Sequence, residues 1–349
     1  MIRYWDVFVI AFLTAVVLIP FVRLFAFRFG FLDHPKAHGI HVHPVPRIGG
    51  IAIYIAFIVG ALYRLDLSEE LKGVMVGSSL IFAVGLWDDL FRLRAGFKLL
   101  VQLAACAIMM FQYGVILKTF PSGHFINSFF TVLLIIGITN AVNFLDNMDG
   151  LSAGLVGVSG FAVFAIAMMT GQTWSAYLAL ALMGACAGFL VFNLRPAYFF
   201  MGDSGSTFLG FTLASLTVMT EWSSHVPVRM AVPVLILGIP IIDMTLITVL
   251  RIKENKVRNV KEWIDYTGKD HLSHRVMRLG LTKRMTVFVL WGSQAILCVV
   301  AIWTLPQQFL EGILALLFFI FSLVGVIVFF RKRRVLALRL NGRRVKKGA

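Results

Sequence analysis

Charged side chains are scarce in this sequence of 349 residues. Asp, Glu, Lys and Arg together make up 14% of the chain, whereas 59% of its residues are hydrophobic and its mean hydropathy is +0.87. A soluble globular domain carries about 25% charged residues and covers its surface with them. The scarcity of charge therefore excludes an ordinary soluble fold and indicates a protein embedded in a membrane.

Cysteine is also scarce, and several common catalytic motifs are missing. The three cysteines, Cys106, Cys186 and Cys298, lie within apolar runs and lack metal-ligand spacing, so we expect neither a disulfide nor a thiolate metal site. The sequence has no Walker lysine motif, Rossmann glycine fingerprint, HExxH motif or nucleophile elbow. Any chemistry must therefore rest on carboxylates, amides and basic groups, as in metal-assisted phosphoryl transfer.

Long apolar runs recur along the whole chain. A helix needs roughly 20 apolar residues to cross the hydrocarbon core of a membrane. The sequence predicts eleven such helices, at 6–26, 48–64, 71–87, 99–118, 126–143, 151–170, 174–193, 205–221, 229–250, 286–304 and 310–330. We therefore predict one all-α, polytopic membrane domain over residues 1–330, followed by a basic tail over 331–349 that is either a surface helix or disordered.

Basic residues are unevenly divided between the two sides of this topology. Of the 32 Lys and Arg residues, 27 lie on the side that includes the loop 251–285 and the tail, and 5 lie on the other side. Cytoplasmic loops carry the excess of Lys and Arg. We therefore predict an outside N-terminus and a cytoplasmic C-terminus, and we attribute the net charge of +15 to orientation and anionic substrates and not to nucleic acid.

Acidic residues gather on the same side, although the orientation rule does not require it. Polar groups at membrane depth are costly and by default indicate function. The aspartates at predicted cytoplasmic span ends are Asp33, Asp88, Asp89, Asp146, Asp149 and Asp203. The predicted active site therefore lies on the cytoplasmic loops 31–50, 88–98, 140–150, 193–206 and 251–285.

A pair of adjacent carboxylates ends the third predicted span. Asp88 and Asp89 repel each other unless a cation lies nearby, and either a divalent metal or Lys98 can supply that charge. The alternative is a pair of solvated aspartates at a helix end. Three further acidic clusters on the same face favour the functional interpretation.

The segment NAVNFLDNMDG carries four oxygen-bearing side chains at a spacing of three. Asn140, Asn143, Asp146 and Asp149 would share one helix face. Such a row suits Mg²⁺ or the polar groups of a nucleoside. The alternative is an ordinary helix end with Asn and Gly residues, which would leave several polar groups unpaired at the membrane surface.

The segment NLRPAYFFMGDSGSTFLG places Asp203 just before an apolar span. An aspartate at a helix N-terminus can be a simple cap. A cap does not explain the upstream Arg195 on the same loop, so we treat Asp203 and Arg195 as candidate site residues.

Two cytoplasmic loops are rich in histidine. The first has four histidines between residues 34 and 43, which is compatible with a transition-metal site or with a basic loop. The second carries His271, His274 and Arg275, which form either a solvated basic face or a clamp for a diphosphate. Asp243 lies within the ninth predicted span, and the sequence does not decide between a partner for these groups and a structural pair.

Taken together, these motifs resemble the polyprenyl-phosphate N-acetylhexosamine-1-phosphate transferase family, which is glycosyltransferase family 4. The resemblance is collinear from about residue 31 to about 280 and rests on the blocks DD…K, NxxNFxDxxDGLxxG and PAxxFMGDxGSxxLG. Eleven spans with an outside N-terminus also resemble the branch that initiates O-antigen and teichoic acid synthesis. The resemblance implies a bacterial inner-membrane enzyme that joins a sugar-1-phosphate from a UDP-sugar, with UDP-GlcNAc expected, to undecaprenyl or another polyprenyl phosphate and releases UMP.

By this resemblance, Asp88 would deprotonate or orient the lipid phosphate, while Asp89 and Lys98 would shape the metal and phosphate site. Asn143 and Asp203 would hold Mg²⁺, or Mn²⁺ in its place, on the diphosphate. Whether an aspartate first forms a covalent phospho-enzyme stays open.

The substrate-binding roles follow in the same way. Asp149 would contact the uracil or ribose, and His271, His274 and Arg275 would grip the sugar-phosphate end. The remaining candidates for substrate binding are Asp33, His41, Asn140, Asp146 and Arg195. The partners expected are the UDP-sugar, polyprenyl phosphate and membrane lipid, with a homodimer as one option for the assembly.

Two departures from the family pattern concern the basic loops. His38 and Gly39 stand where Arg and Lys are usual, and Ser273 replaces the middle histidine of His-x-His-His. The competing class is a transporter, which would place its acids near the bilayer midplane. Here the aspartates of the acidic motifs lie at one face, and Asp243 is the one acidic candidate for the site that falls within a span, so we favour the enzyme.

Overall fold

The computed structural model describes residues 2–33, 45–64, 68–120, 123–194, 197–259, 262–263, 266, 268, 270–305 and 309–347, with only the backbone described at 2–3, 33 and 333–347. The helices, in chain order, are α1 (Ile2–Phe29), α2 (Gly50–Leu62), α3 (Glu69–Phe91), α4 (Ala95–Tyr113), α5 (His124–Leu145), α6 (Leu151–Met169), α7 (Thr173–Asn193), α8 (Gly202–Met219), α9 (Val226–Ile236), α10 (Gly238–Lys253), α11 (Leu272–Met277), α12 (Lys283–Thr304) and α13 (Phe309–Lys347).

The helices confirm a multi-pass, all-α membrane protein. A helix lies at each of the eleven predicted windows. Within the described residues, eight helices are long and apolar enough to cross a membrane, and the α9–α10 pair makes a ninth if it is one broken span. Helix α2 is shorter, with 13 residues, and α8 has 18 residues that include many small polar side chains.

Several helix ends differ from the predicted windows. Helix α4 ends at Tyr113 because Gly114 adopts a left-handed conformation, with φ of 68°, and caps it. Helix α3 continues to Phe91, so its acidic pair lies in the last helical turns. Helix α13 runs without a break to Lys347, which favours the helical alternative for the basic tail.

Helix α8 lies at the centre of the bundle and brings its N-terminus to the site. Fifteen consecutive residues, from Ser204 to Val218, are buried, and a helix buried on all sides belongs to the interior. Its neighbours approach closely through glycine: a Cβ on Gly85 of α3 would lie 2.6 Å from the Cα of Ser204, and one on Gly50 of α2 would lie 2.3 Å from the amide of Gly205. Small residues allow such close packing of membrane helices.

The window at 229–250 is not one continuous helix, because α9 and α10 meet at an angle of 79°. Pro240 has no amide proton and its ring would collide with the carbonyl of Ile236 in a continuous helix. The backbone groups freed by the break are satisfied by side chains. Gln294 accepts from the Ile239 amide at 2.9 Å and donates to the Ile236 carbonyl at 2.7 Å, and Ser159 donates to the same carbonyl at 2.7 Å.

Two short strands, which the sequence analysis did not predict, hold the loop between α1 and α2 beside α8. Strand β1 (Leu32–Asp33) pairs antiparallel with β2 (Val45–Pro46). The segment after β2 then bonds to the residues before α8, through Gly49 to the Phe200 carbonyl at 2.9 Å and Gly50 to the Met201 carbonyl at 2.8 Å. This pairing places Arg47 at the N-terminus of α8.

Candidate active site

Lys98 joins two carboxylates from different helices. Its ammonium lies 2.9 Å from Asp88 Oδ2 on α3 and 2.7 Å from Asp203 Oδ2 on α8. The second oxygen of Asp88 accepts the amide of Leu93 at 2.5 Å. Both carboxylates are thus fixed in direction around one positive charge, an arrangement suited to binding and orienting phosphate groups.

Asp89 faces away from this pair and caps the first turn of α8. Its carboxylate accepts the amides of Asp203 at 2.8 Å and Ser204 at 3.0 Å, and only 6% of the residue is exposed. Arg47 donates to the backbone carbonyl of Asp89. A carboxylate at a helix N-terminus satisfies free amides and opposes the positive end of the helix dipole. The structure therefore makes Asp89 the group that positions Asp203.

Glycine is required directly before Asp203. Gly202 has φ of +70°, and a Cβ on it would lie 2.5 Å from Asp89 Oδ2. The left-handed conformation costs other residues roughly 1–2 kcal/mol. The conformation of Gly202 thus lets the amides of α8 reach the carboxylate of Asp89.

The two asparagines of α5 have different contacts. Asn143 Oδ1 accepts the hydroxyl of Ser206, one turn after Asp203, at 2.7 Å. Asn140 instead donates to Gln102 Oε1 of α4 at 2.8 Å. Asn143 therefore lies beside the aspartate cluster, while Asn140 links α5 to the helix that carries Lys98.

Negative charge accumulates around the end of α5. Burial raises the pKa of Asp146 to about 8, and the charges of Asp203, Asp89 and Asp149 add to the shift. In the described part of the chain no group of three or more His, Cys, Asp or Glu side chains is arranged to hold a metal ion. Mg²⁺ commonly uses one or two protein oxygens together with substrate phosphates. The crowded carboxylates and the amide oxygen of Asn143 fit a cation bound in that way.

Asp149 opens onto a cavity of about 230 Å³. One of its oxygens accepts the amide of Ala197 at 3.3 Å. Lys283 and Arg284, from the start of α12, line the same cavity. A carboxylate and two cations around one cavity can bind a polar molecule that carries both hydrogen-bond donors and negative charge.

The loop between α10 and α12 docks onto the end of α5. His271 packs against Phe144 with ring centroids 5.5 Å apart, and its Nδ1 lies 2.8 Å from Asp243 Oδ2. Ser273, which departs from the family pattern, donates its hydroxyl to Asn147 Oδ1 at 2.7 Å. The serine at this position thus gives the loop a direct contact with the segment 143–149, which carries Asp146 and Asp149.

A buried ion pair holds the beginning of this loop. Arg251 is 2% exposed and binds Asp270 through two nitrogens at 2.9 and 2.7 Å. Burial alone would raise the pKa of Asp270, but the hydrogen bonds and charge of Arg251 outweigh it and hold that pKa below its ordinary value. Arg275 donates to the carbonyl of Asp270 at 2.6 Å. Arg275, which the sequence predicts to bind substrate, thus also holds the backbone at the start of the loop.

The structure therefore brings most of the predicted residues to one end of the bundle. Three clusters meet along the residues 143–149: the Lys98 cluster, the Asp149 cavity and the His271 loop. His274 lies half-buried on α11 in the same loop. His41, Arg195 and the side chain of Asp33 lie outside the described residues.

Sequence reasoning missed several residues at the site. Arg47, Ser206, Lys283 and Arg284 carry no motif of their own, and their proximity depends on tertiary contacts. Asp243 was noticed only as an acid within a span. The signal that identifies its partner is the distance to His271, which is 28 residues away in sequence.

An apolar groove of about 420 Å³ runs between α5 and the α9–α10 pair. It extends from Phe120 and Arg229, near the far end of the bundle, to Ala141 and Met244. Ala141 precedes Asn143 on α5, and Met244 follows Asp243 on α10. The groove therefore ends on the helical turns that carry site residues.

The chain matches a protein family and several known proteins. A family model described as "Glycosyl transferase family 4" matches residues 71–221, which include the whole Lys98 cluster. The chain is 35% identical over 302 residues, covering 83% of it and 82% of the relative, to a probable undecaprenyl-phosphate N-acetylglucosaminyl 1-phosphate transferase of Bacillus subtilis (strain 168).

Two further relatives have similar names. A decaprenyl-phosphate N-acetylglucosaminephosphotransferase of Mycolicibacterium smegmatis is 30% identical, over 80% of this chain and 77% of the relative. An undecaprenyl-phosphate alpha-N-acetylglucosaminyl 1-phosphate transferase of Escherichia coli (strain K12) is 28% identical, over 90% of this chain and 88% of the relative. On the strength of these matches and of the site they enclose, the chain belongs to glycosyl transferase family 4.

Proposed function

We propose that this protein transfers N-acetylglucosamine-1-phosphate from UDP-GlcNAc to a polyprenyl phosphate, releasing UMP and forming a polyprenyl-diphosphate sugar. The names of its relatives support the reaction. The observation that carries the proposal is the bridge of Lys98 between Asp88 and Asp203. It places one cation and two directed carboxylates at the end of a membrane bundle, where a lipid phosphate and a soluble nucleotide can meet.

The reaction joins two anions, so its main requirements are orientation and neutralisation of charge. An oxygen of the lipid phosphate attacks the phosphorus next to the sugar, and the bond from that phosphorus to the oxygen of UMP breaks. Asp88 would accept the proton of the lipid phosphate or direct its attacking oxygen. Lys98 would offset the charge of the entering phosphate, and Asp89 would keep Asp203 in place through the first turn of α8.

Mg²⁺ is the proposed cofactor. Asp203 and Asn143 would hold it, since both present oxygens beside the cluster and Ser206 fixes the orientation of the Asn143 amide. When bound, the cation would neutralise charge on the diphosphate of the donor. The proximity of Asp88, Asp89 and Asp203, which have one lysine between them, supports a divalent cation at the site.

The donor would lie between the Asp149 cavity and the His271 loop. Asp149 would accept hydrogen bonds from the uracil or ribose, and Lys283 and Arg284 line the same cavity. His271, His274 and Arg275 would contact the sugar-linked phosphate from the opposite loop. This arrangement would hold the scissile bond near Lys98.

The acceptor chain would use the apolar groove beside α5. The groove is lined almost wholly by apolar residues and ends near Asn143 and Asp243, so a lipid could keep its chain in the groove and its phosphate at the site. Burying an apolar chain is favourable in proportion to the area removed from water.

We further propose that all eleven helical windows cross the bacterial inner membrane, with the active site facing the cytoplasm. The excess of Lys and Arg on the side of the 251–285 loop supports this orientation. In this orientation the site residues would face the side on which a soluble nucleotide-sugar donor is available. No nucleic acid is expected as a partner.

Release of UMP tests the proposed function. Purified protein in detergent is supplied with undecaprenyl phosphate, Mg²⁺ and, in parallel, UDP-GlcNAc, UDP-GalNAc or UDP-MurNAc-pentapeptide. We expect the fastest release from a simple hexosamine donor, loss of release with EDTA, and recovery with added Mg²⁺ or Mn²⁺. Full turnover without metal contradicts the proposed cofactor, and fastest transfer from the pentapeptide donor contradicts the proposed substrate.

A further inference from the structure

Asp243 is a buried carboxylate that the proposed reaction does not use directly. It lies on α10, after the break in the helix pair, and is 0% exposed. Both of its oxygens are directed to the loop between α10 and α12: Oδ2 lies 2.8 Å from His271 Nδ1, and Oδ1 accepts the amide of Leu272 at 2.6 Å. One side chain thus fixes both the ring and the backbone at the start of α11.

The imidazole of His271 has only one ring nitrogen available to a substrate. Nδ1 is engaged by Asp243, and one side of the ring packs against Phe144, the neighbour of Asn143. No residue that the structure describes forms a hydrogen bond with Nε2. Because the two nitrogens lie on different edges of the ring, the contact with Asp243 leaves Nε2 for the donor.

Anchoring the loop does not by itself explain a carboxylate at this position. Arg251 and Asp270 hold the loop on one side of His271, and Ser273 bonds to Asn147 on the other. A neutral amide would satisfy the Leu272 amide equally well. A buried negative charge is costly unless it is paired, and its second oxygen here faces a group that can carry a proton.

The geometry points to Asp243 as a positioning residue that accepts one proton of His271 at Nδ1, so that the doubly protonated ring can donate a second proton, on Nε2, to the sugar-linked phosphate of the donor. The inference rests on the proposed function, in which His271 contacts that phosphate. A carboxylate accepts hydrogen bonds only, so the proton stays at Nδ1 whether the ring is neutral or charged. The orienting partner of a reactive histidine acts in this way in hydrolytic triads.

The substitution Asp243→Asn tests this role with a small change in shape. The amide oxygen can still accept from the Leu272 amide, which leaves the NH₂ group facing His271. The NH₂ group donates, so Nδ1 must accept and lose its proton. The variant ring is therefore neutral, with its one proton on Nε2, and the phosphate loses a charged donor. We expect kcat to fall by roughly 10²-fold or more, the scale of losing one positioned donor to a developing anion, with the KM for UDP-GlcNAc changed by less than about threefold.

A double-mutant cycle with His271→Gln separates positioning from anchoring. If Asp243 acts through the ring, Asp243→Asn should change kcat by less than about twofold when His271 is already Gln. Equal losses in both backgrounds would show that Asp243 only anchors the loop, and a near-normal kcat for the single variant would also overturn the inference.

Nitrogen-15 NMR of histidine-labelled protein provides a second readout that needs no substrate. The His271 signals are those missing from the His271→Gln spectrum. We expect Nδ1 to change from the protonated to the unprotonated class in Asp243→Asn, and to stay protonated in Ser273→Ala, which loses a loop contact without touching the ring. An unchanged Nδ1 in Asp243→Asn overturns the inference. Absence of UMP release by the wild-type protein would instead contradict the proposed function.

Discussion

The carboxylate of Asp89 offers the most quantitative test of how the fold builds the site. Asp89→Asn replaces one of two oxygens that accept the amides of Asp203 and Ser204 at 2.8 and 3.0 Å. One of the two hydrogen bonds is kept. The other is lost, because an NH₂ group then faces a backbone amide and both are donors. A hydrogen bond to a charged group contributes about 1.5–3 kcal/mol, so we expect the free energy of unfolding to fall by about that amount.

The same change should slow the reaction. When the first turn of α8 moves to relieve the contact, Asp203 moves with it, and a displacement of about 1 Å at a reacting centre can lower the rate by roughly 10²-fold. Unfolding is measured in detergent without metal or substrate, where these hydrogen bonds already exist, and turnover is measured as UMP release.

Glu69→Gln is a matched control because it makes the same carboxylate-to-amide change on the same helix. The side chain of Glu69 is 66% exposed and pairs with Lys72 at the opposite end of α3. Exposed ion pairs contribute about 0–1 kcal/mol, so both stability and turnover should stay near wild type. Wild-type stability and turnover in Asp89→Asn would refute the capping role.

Three further predictions concern the cluster and the topology. Asp203→Asn should lower turnover by roughly 10²-fold or more, on the scale of losing a positioned electrostatic group. Asp88→Asn should lower turnover more than it weakens UDP-sugar binding. A near-normal rate in either folded variant contradicts its assigned role. Gly202→Ala should lower both stability and turnover, since its Cβ would lie 2.5 Å from the capping carboxylate; retention of both would disprove the steric argument. In intact cells, an impermeant thiol reagent should label Ser224→Cys, on the proposed outer side, but not Arg258→Cys, in the basic loop on the proposed cytoplasmic side. The three native cysteines are buried and should give little background labelling. The reverse pattern would invert the topology.

The sequence was sufficient for the helical architecture because apolar length is a local property. The window at 126–143, for example, lies within α5, and in the structure Asn143, near the end of that helix, contacts Ser206 of α8. The break at Leu237 was missed, although Pro240 was visible. Its stability depends on Gln294 and Ser159, which lie on other helices.

The site could be predicted in composition but not in detail. The sequence placed Asp88, Asp89 and Lys98 together, yet it gave no reason to separate the two aspartates. In the structure Asp88 faces Lys98 while Asp89 faces the amides of α8. That division depends on where α8 begins and on the conformation of Gly202, both of which are set by tertiary packing.

The transfer of a phosphosugar, as opposed to a sugar alone, is the central claim and can be measured directly. The donor is UDP-GlcNAc with one label in the sugar and a second in the phosphorus next to the sugar, and the acceptor is undecaprenyl phosphate. Both labels should enter the lipid in equal amounts, with UMP as the only nucleotide product. A lipid that carries the sugar label alone, with UDP released, would contradict the account.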